Sequence, residues 1–86
     1  EFGRRPNENA NLGTDHGSAN LMFVAGTPIQ GGHYGKTPSL EGLGEGDNLS
    51  HTTDFRRVYG TLVRDWLGVP AETVLGGDHR SLGFIA

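Results

Sequence analysis

The sequence predicts a small α/β structure, from one apolar run, one amphipathic helix and long glycine-rich connections. The apolar run is Leu21-Met22-Phe23-Val24-Ala25, and the helix covers residues 54–67. Glycine accounts for 15 of the 86 residues, chiefly in the connections. A single strand and a single helix give only a thin core. Residues 1–86 are therefore expected to be part of one domain, and not a complete one.

Composition excludes several classes of protein. The net charge is −3, and the seven basic residues are dispersed, so a nucleic-acid partner is not expected. The longest apolar run is far too short to cross a bilayer, so no membrane span is expected. There is no cysteine to form a disulfide. The first residues show neither a strand nor a helix cap, and we expect the chain to be a piece of a longer protein.

The segment Gly13-Thr14-Asp15-His16-Gly17 carries the clearest chemistry. Carboxylate and imidazole are usual ligands of divalent metals, and flanking glycines allow a close approach. Zinc-class and calcium- or magnesium-class ions both remain open. Alternatively, Asp15 supports a turn and His16 points into solvent. Upstream, Arg4 and Arg5 are either an anion-binding pair or a solvated surface.

Residues 21–26 form the best strand candidate, because a continuous apolar run suits a strand covered on both faces. Gly26 and Pro28 close it. Residues 36–50 are predicted to be loop, and so long a loop in a small chain indicates either function or missing context.

The helix prediction rests on an apolar stripe with helical spacing. Its members are Phe55, Val58, Tyr59, Leu62, Val63, Trp66 and Leu67. Thr53 is the predicted cap, and Gly68 the predicted stop. Because such a stripe needs an apolar partner, we expect the rest of a parent chain or self-association to cover it. Trp66→Ala is then expected to destabilise the fold by about 3–5 kcal/mol.

The last residues contain a turn and a docking segment. Asp78-His79 is interpreted as a surface turn. Leu82-Gly83-Phe84-Ile85 is apolar enough to pack against another part of the protein.

Four segments in this order resemble the C-terminal end of a sulfatase-like bacterial family of unknown function. That family belongs to the alkaline phosphatase-like superfamily, and its members usually carry twin-arginine export signals. The segments are Glu1-Phe2-Gly3-Arg4-Arg5, Gly13-Thr14-Asp15-His16-Gly17, Asp54-Phe55-Arg56-Arg57-Val58-Tyr59 and Trp66-Leu67-Gly68.

The resemblance implies an α/β sandwich with a mostly parallel sheet and a metal site at the strand ends. Two registers are open. In the first, Asp15 and His16 are the adjacent ligand pair. In the second, Glu1-Phe2-Gly3 takes the place of that pair, and His16 is a lone ligand leading into the next strand. We prefer the second, because His16 lies just ahead of the apolar run. His33 and His51 are lesser candidates.

The function implied by the resemblance is that of an exported, metal-dependent hydrolase of phosphate or sulfate esters, acting in the periplasm or outside the cell. The nucleophile is expected outside this chain. Two alternatives remain: a non-catalytic secreted binding or structural protein that keeps the fold, and an independent small binding domain.

Overall fold

A computed structural model describes residues 3–44 and 46–86, which form a small mixed structure of strands and helices. In chain order the elements are β1 (Gly3–Arg4), β2 (His16–Gly17), α1 (Phe55–Thr61), a π-helical turn (Leu62–Trp66) and α2 (Ala71–Leu75). Two compact units are present: Glu1–Phe23 with Lys36–Thr52, and Val24–Gly35 with Thr53–Ala86. The predicted mixture of strand and helix is confirmed.

The first unit is built on a two-stranded antiparallel sheet. Gly3 lies opposite Gly17, and Arg4 lies opposite His16. The backbone N–H of Arg5 donates to the Asp15 carbonyl at 3.0 Å, which extends the ladder by one bond. A Cβ at Gly3 would lie 1.9 Å from the backbone carbonyl oxygen of Ala19, so only glycine fits there. The sheet therefore requires glycine at position 3, because the backbone of Ala19 passes close to it.

The long loop of residues 36–50 has neither helix nor strand in its described part, as predicted. Polar side chains from the sheet side of the unit hold it. The Asn7 side-chain amide donates to the Gly44 carbonyl at 2.6 Å. The Ser18 hydroxyl donates to the Leu49 carbonyl at 3.0 Å. Hydrogen bonds to the loop backbone therefore position this segment, where a larger domain would use apolar packing.

The strand predicted for residues 21–26 is wrong. These residues belong to neither strand nor isolated bridge, and the side chains of Leu21 and Phe23 are exposed, Phe23 by 89%. An apolar run becomes a buried strand only where neighbouring strands pair with its backbone and other layers cover its faces. The described residues supply neither. The preference for the second register, which rested on this strand, loses its support.

Helix α1 is capped by Asp54 and not by the predicted Thr53. The Asp54 carboxylate accepts from the backbone N–H of Arg56 at 2.9 Å, as an N-cap side chain does. The same carboxylate forms an ion pair with the Arg56 guanidinium at 2.6 Å. The side-chain hydrogen bond from Arg56 holds the pKa of Asp54 well below its usual range. Asp54 therefore satisfies one helical N–H and one cation, which Thr53 is not placed to do.

The helical segment ends where the sequence predicts. Gly68 adopts a left-handed backbone conformation with φ of 70°. The N–H of Val69 then donates back to the Val63 carbonyl at 3.0 Å, which closes the helix end. No helix in the described part of the chain has the length and apolar character that a bilayer crossing requires.

The apolar stripe is largely exposed, which contradicts the predicted burial of Trp66. Phe55, Tyr59 and Leu67 are exposed, and Trp66 is 59% exposed. Part of the cause is local: Leu67 N–H bonds to the Leu62 carbonyl, five residues back, so the last turn is wider than an α-helical turn. A pattern read at 3.6 residues per turn therefore misplaces the side chains that follow.

The buried face of the helix is the polar one. Gly60 and Thr61 are buried. The guanidinium of Arg57 donates to the Arg80 carbonyl at 3.0 Å, and that of Arg64 donates to the His79 carbonyl at 3.3 Å. A segment after α2, residues 78–82, thus lies along this face. The stripe is divided: Val58, Leu62 and Val63 are half-buried, while its other four members are exposed.

The closing apolar residues dock, as predicted, within the second unit. Ile85 forms an antiparallel bridge with Ile29, and Ala86 N–H donates to the Pro28 carbonyl at 2.8 Å. Phe84 is buried, and its ring meets that of Tyr34 edge to face, with centroids 5.7 Å apart. This aromatic contact joins the closing segment to residues 24–35 of the same unit.

Gly60→Ala should lower the free energy of unfolding by about 1–3 kcal/mol, because overpacking outweighs the helical preference of alanine. The new Cβ would lie 2.6 Å from the His79 carbonyl oxygen. Gly31→Ala is the matched control, since nothing lies within 4 Å of its Cβ position. Urea denaturation of both variants measures the difference, and equal midpoints would show that the close approach is absent.

Thr61→Val should destabilise the protein more than Trp66→Ala. The buried Thr61 hydroxyl accepts from Leu82 N–H at 2.8 Å and donates to the Arg57 carbonyl at 2.7 Å. Valine leaves the Leu82 N–H unpaired, at a cost of about 1–3 kcal/mol. Trp66→Ala, at an exposed site, should cost about 1 kcal/mol or less. Thermal melts of the two variants rank them, and the reverse order would contradict the observed helix orientation.

Candidate functional site

An open hollow beside the paired strands brings together most of the residues singled out in the sequence. It has a volume of about 380 Å³ and is lined by Arg4, Arg5, Thr14, Asp15 and His16. All five lie in the first unit. The strand pairing explains their assembly, because it folds residues 3–5 back against residues 15–17.

Arg4 and His16 form a cross-strand pair. Residues directly opposite in an antiparallel pair share a face, with Cβ atoms about 4.5–5.5 Å apart. The Arg4 guanidinium donates through Nη1 to the Thr14 carbonyl at 2.8 Å. A guanidinium has five N–H donors, so this bond orients the group and leaves others for a ligand. Both Arg4 and His16 are exposed.

Arg5 plays a different part from its neighbour. Its guanidinium donates through Nη1 to the Gly46 carbonyl of the long loop at 3.0 Å. The residue is half-buried, and its Nε is buried with no acceptor among the described residues. A cation held in this way ties the loop to the strand pair. It does not fit the solvated surface pair that was the alternative.

Asp15 is held by a loop centred on Asn9. The Asn9 amide donates to the Asp15 carboxylate at 3.0 Å. Its side-chain oxygen accepts from the backbone N–H groups of Asn11 and Gly13, at 2.9 and 3.1 Å. The sequence analysis missed Asn9. Asparagine side chains often accept hydrogen bonds from backbone groups a few residues later in the chain, and this tendency could have identified it.

The adjacent residues Asp15 and His16 both line the hollow, but their side chains have different neighbours. Successive side chains of an extended chain point to opposite faces, and His16 begins β2. The Asp15 carboxylate already has the Asn9 contact, whereas His16 shares a face with Arg4. The first register, in which both are ligands of one metal, stays a prediction.

The remaining candidates are not gathered in the hollow. Glu1, a ligand in the second register, lies outside the described residues. His33 and His51 are exposed and do not line the hollow. Across residues 3–44 and 46–86, no group of three or more His, Cys, Asp or Glu side chains is placed to hold a metal ion.

Comparison with known proteins gives the family. The family model described as "Protein of unknown function (DUF1501)" matches residues 1–62. The chain belongs to this family. The matched part of this DUF1501 chain includes β1, β2, the hollow and all of α1. No curated protein and no solved structure matches the chain.

Asn9→Ala should speed amide hydrogen exchange at Asn11 and Gly13, because both N–H groups lose their acceptor. Asn11→Ala is the control, since the contact of Asn11 in this loop is made by its backbone. Exchange followed by NMR distinguishes the two variants. Unchanged protection in Asn9→Ala would show that Asn9 does not organise the loop.

Proposed function

We propose that this chain is part of an exported, metal-dependent hydrolase of phosphate or sulfate esters, with an alkaline phosphatase-like α/β sandwich. The observation that carries the proposal is the hollow, where two guanidinium groups lie with a carboxylate and an imidazole. Arginine is suited to tetrahedral oxyanions, and the carboxylate and imidazole are ligand types for divalent cations. An ester hydrolase needs both chemistries side by side.

Exposed apolar surface supports a larger domain around this chain. The run Leu21–Phe23 and the side chains of Phe55, Tyr59 and Trp66 are exposed in the structure. In an α/β sandwich a sheet and its covering helices bury such surfaces against one another. The proposal assigns the rest of the parent domain as their cover, and places the protein in the periplasm or outside the cell.

The donor types in the hollow fit a divalent cation, but their number does not complete a shell. A catalytic zinc site uses three protein ligands and an open position. His16 is a ligand in both registers, Asp15 in the first and Glu1 in the second. When bound, such an ion would polarise the ester and activate the attacking oxygen. The chain's own residues orient the site: Asn9 holds the Asp15 carboxylate and Arg5 fixes the loop.

His16→Ala in the full-length parent should lower metal content and ester turnover together, because both registers use this imidazole. Asp15→Ala should be the more damaging companion change under the first register, and Glu1→Ala under the second. His33→Ala and His51→Ala are the controls and should be milder. Elemental analysis beside turnover of generic phosphate and sulfate esters measures both quantities.

Full metal content and full turnover in His16→Ala would refute the assignment of His16. A parent that binds metal without hydrolysing either ester class would favour the alternative of a secreted, non-catalytic binding protein. A cooperatively melting monomer of the 86-residue chain would favour an independent small domain.

A further inference from the structure

We propose that Arg4 and His16 form the subsite for the tetrahedral oxyanion, the phosphoryl or sulfuryl group of the substrate, while Arg5 and Asp15 hold its frame. This inference rests on the proposed function, since it names the residues of that site that meet the substrate. Residues that are adjacent in the sequence thereby receive different roles. Arg4 binds the anion and Arg5 supports the site, and His16 and Asp15 differ in the same way.

The strand register carries the first step. Arg4 and His16 are directly opposite in the ladder and therefore on the same face. Both are exposed at the hollow. A guanidinium donates several N–H groups to oxygen, and an imidazole whose one nitrogen binds a metal still has an N–H on the other to donate.

The contacts of the other two residues carry the second step. The Arg5 guanidinium bonds to the Gly46 carbonyl, and the Asp15 carboxylate accepts from the Asn9 amide. Each contact joins a hollow residue to a loop of the same unit. Arg5 is also half-buried, with its Nε buried, whereas Arg4 is exposed and bonds through Nη1 to the Thr14 carbonyl within the same hollow.

The charge balance of the hollow carries the third step. Among the described residues, its lining holds the two guanidinium groups of Arg4 and Arg5 and the carboxylate of Asp15. An anion is therefore attracted to the hollow, and the bidentate fork of arginine matches two oxygens of a phosphate or sulfate group. The negative charge of Asp15 repels an anion in the hollow. Replacing Asp15 by a neutral residue is therefore expected to change the affinity of the hollow for the anion.

The test is titration of the full-length parent with inorganic phosphate and, separately, sulfate, followed by NMR shifts of the His16 ring and the Arg4 side chain. Arg4→Gln should weaken binding at least about fivefold, the loss expected for one charge-assisted hydrogen bond. His16→Gln should weaken it less. Asp15→Asn should strengthen it about two- to fivefold, because a nearby negative charge is removed.

Arg80→Gln is the matched control, an arginine of the other unit that loses the same charge outside the hollow. It should leave the binding constant unchanged. Equal weakening by Arg4→Gln and Arg80→Gln would reduce the effect to net charge and overturn the inference. So would the absence of any shift at His16 or Arg4 with either anion.

The same variant separates this inference from the proposed function. In the parent, Arg4→Gln should raise KM for an ester about fivefold or more. If the Arg4→Gln parent hydrolyses the ester with an unchanged KM, the subsite proposal is wrong, whereas the hydrolase proposal is unaffected. Anion binding that depends on Arg4, in a parent with no turnover, would support the subsite and refute the hydrolase.

Discussion

The constraint on which the structure depends is the need to give loop carbonyl groups a hydrogen-bond donor. With little apolar packing available, arginine side chains supply these donors in both units. The pairs are Arg4 with Thr14, Arg5 with Gly46, Arg57 with Arg80, and Arg64 with His79. A guanidinium suits this work because one rigid group offers several donors. Side-chain to backbone bonds thus do much of what a core does in a larger domain.

In the second unit this constraint decides how the helix is oriented. Arg57 and Arg64 lie on the polar side of the helix, and their carbonyl partners follow α2. Gly60 lets the chain pass at a distance that any side chain would block. With this side in use, four of the seven residues of the apolar stripe are left exposed. Its exposure is a consequence of contacts made elsewhere on the helix, and it marks the surface that the proposed parent domain would cover.

In the first unit the strand pairing reorganises the chemistry of the hollow. Sequence order joins Arg4 to Arg5 and Asp15 to His16, but the ladder joins Arg4 to His16. The other two side chains, Arg5 and Asp15, are tied to neighbouring loops. Residues that are adjacent in the sequence therefore have different neighbours in the structure, which is the basis of the roles proposed for them.

Local patterns determined much of this protein. The helix, its end at Gly68, the long loop and the docking of Phe84 and Ile85 all follow from the sequence, because backbone preferences and turn chemistry act over a few residues. The tertiary structure decided what is buried. Phe23 and Trp66 are apolar enough for a core, yet both are exposed, since burial requires a partner surface that no local pattern specifies. It also decided the facing of Arg4 and His16, because a register between strands twelve residues apart lies beyond the reach of local periodicity.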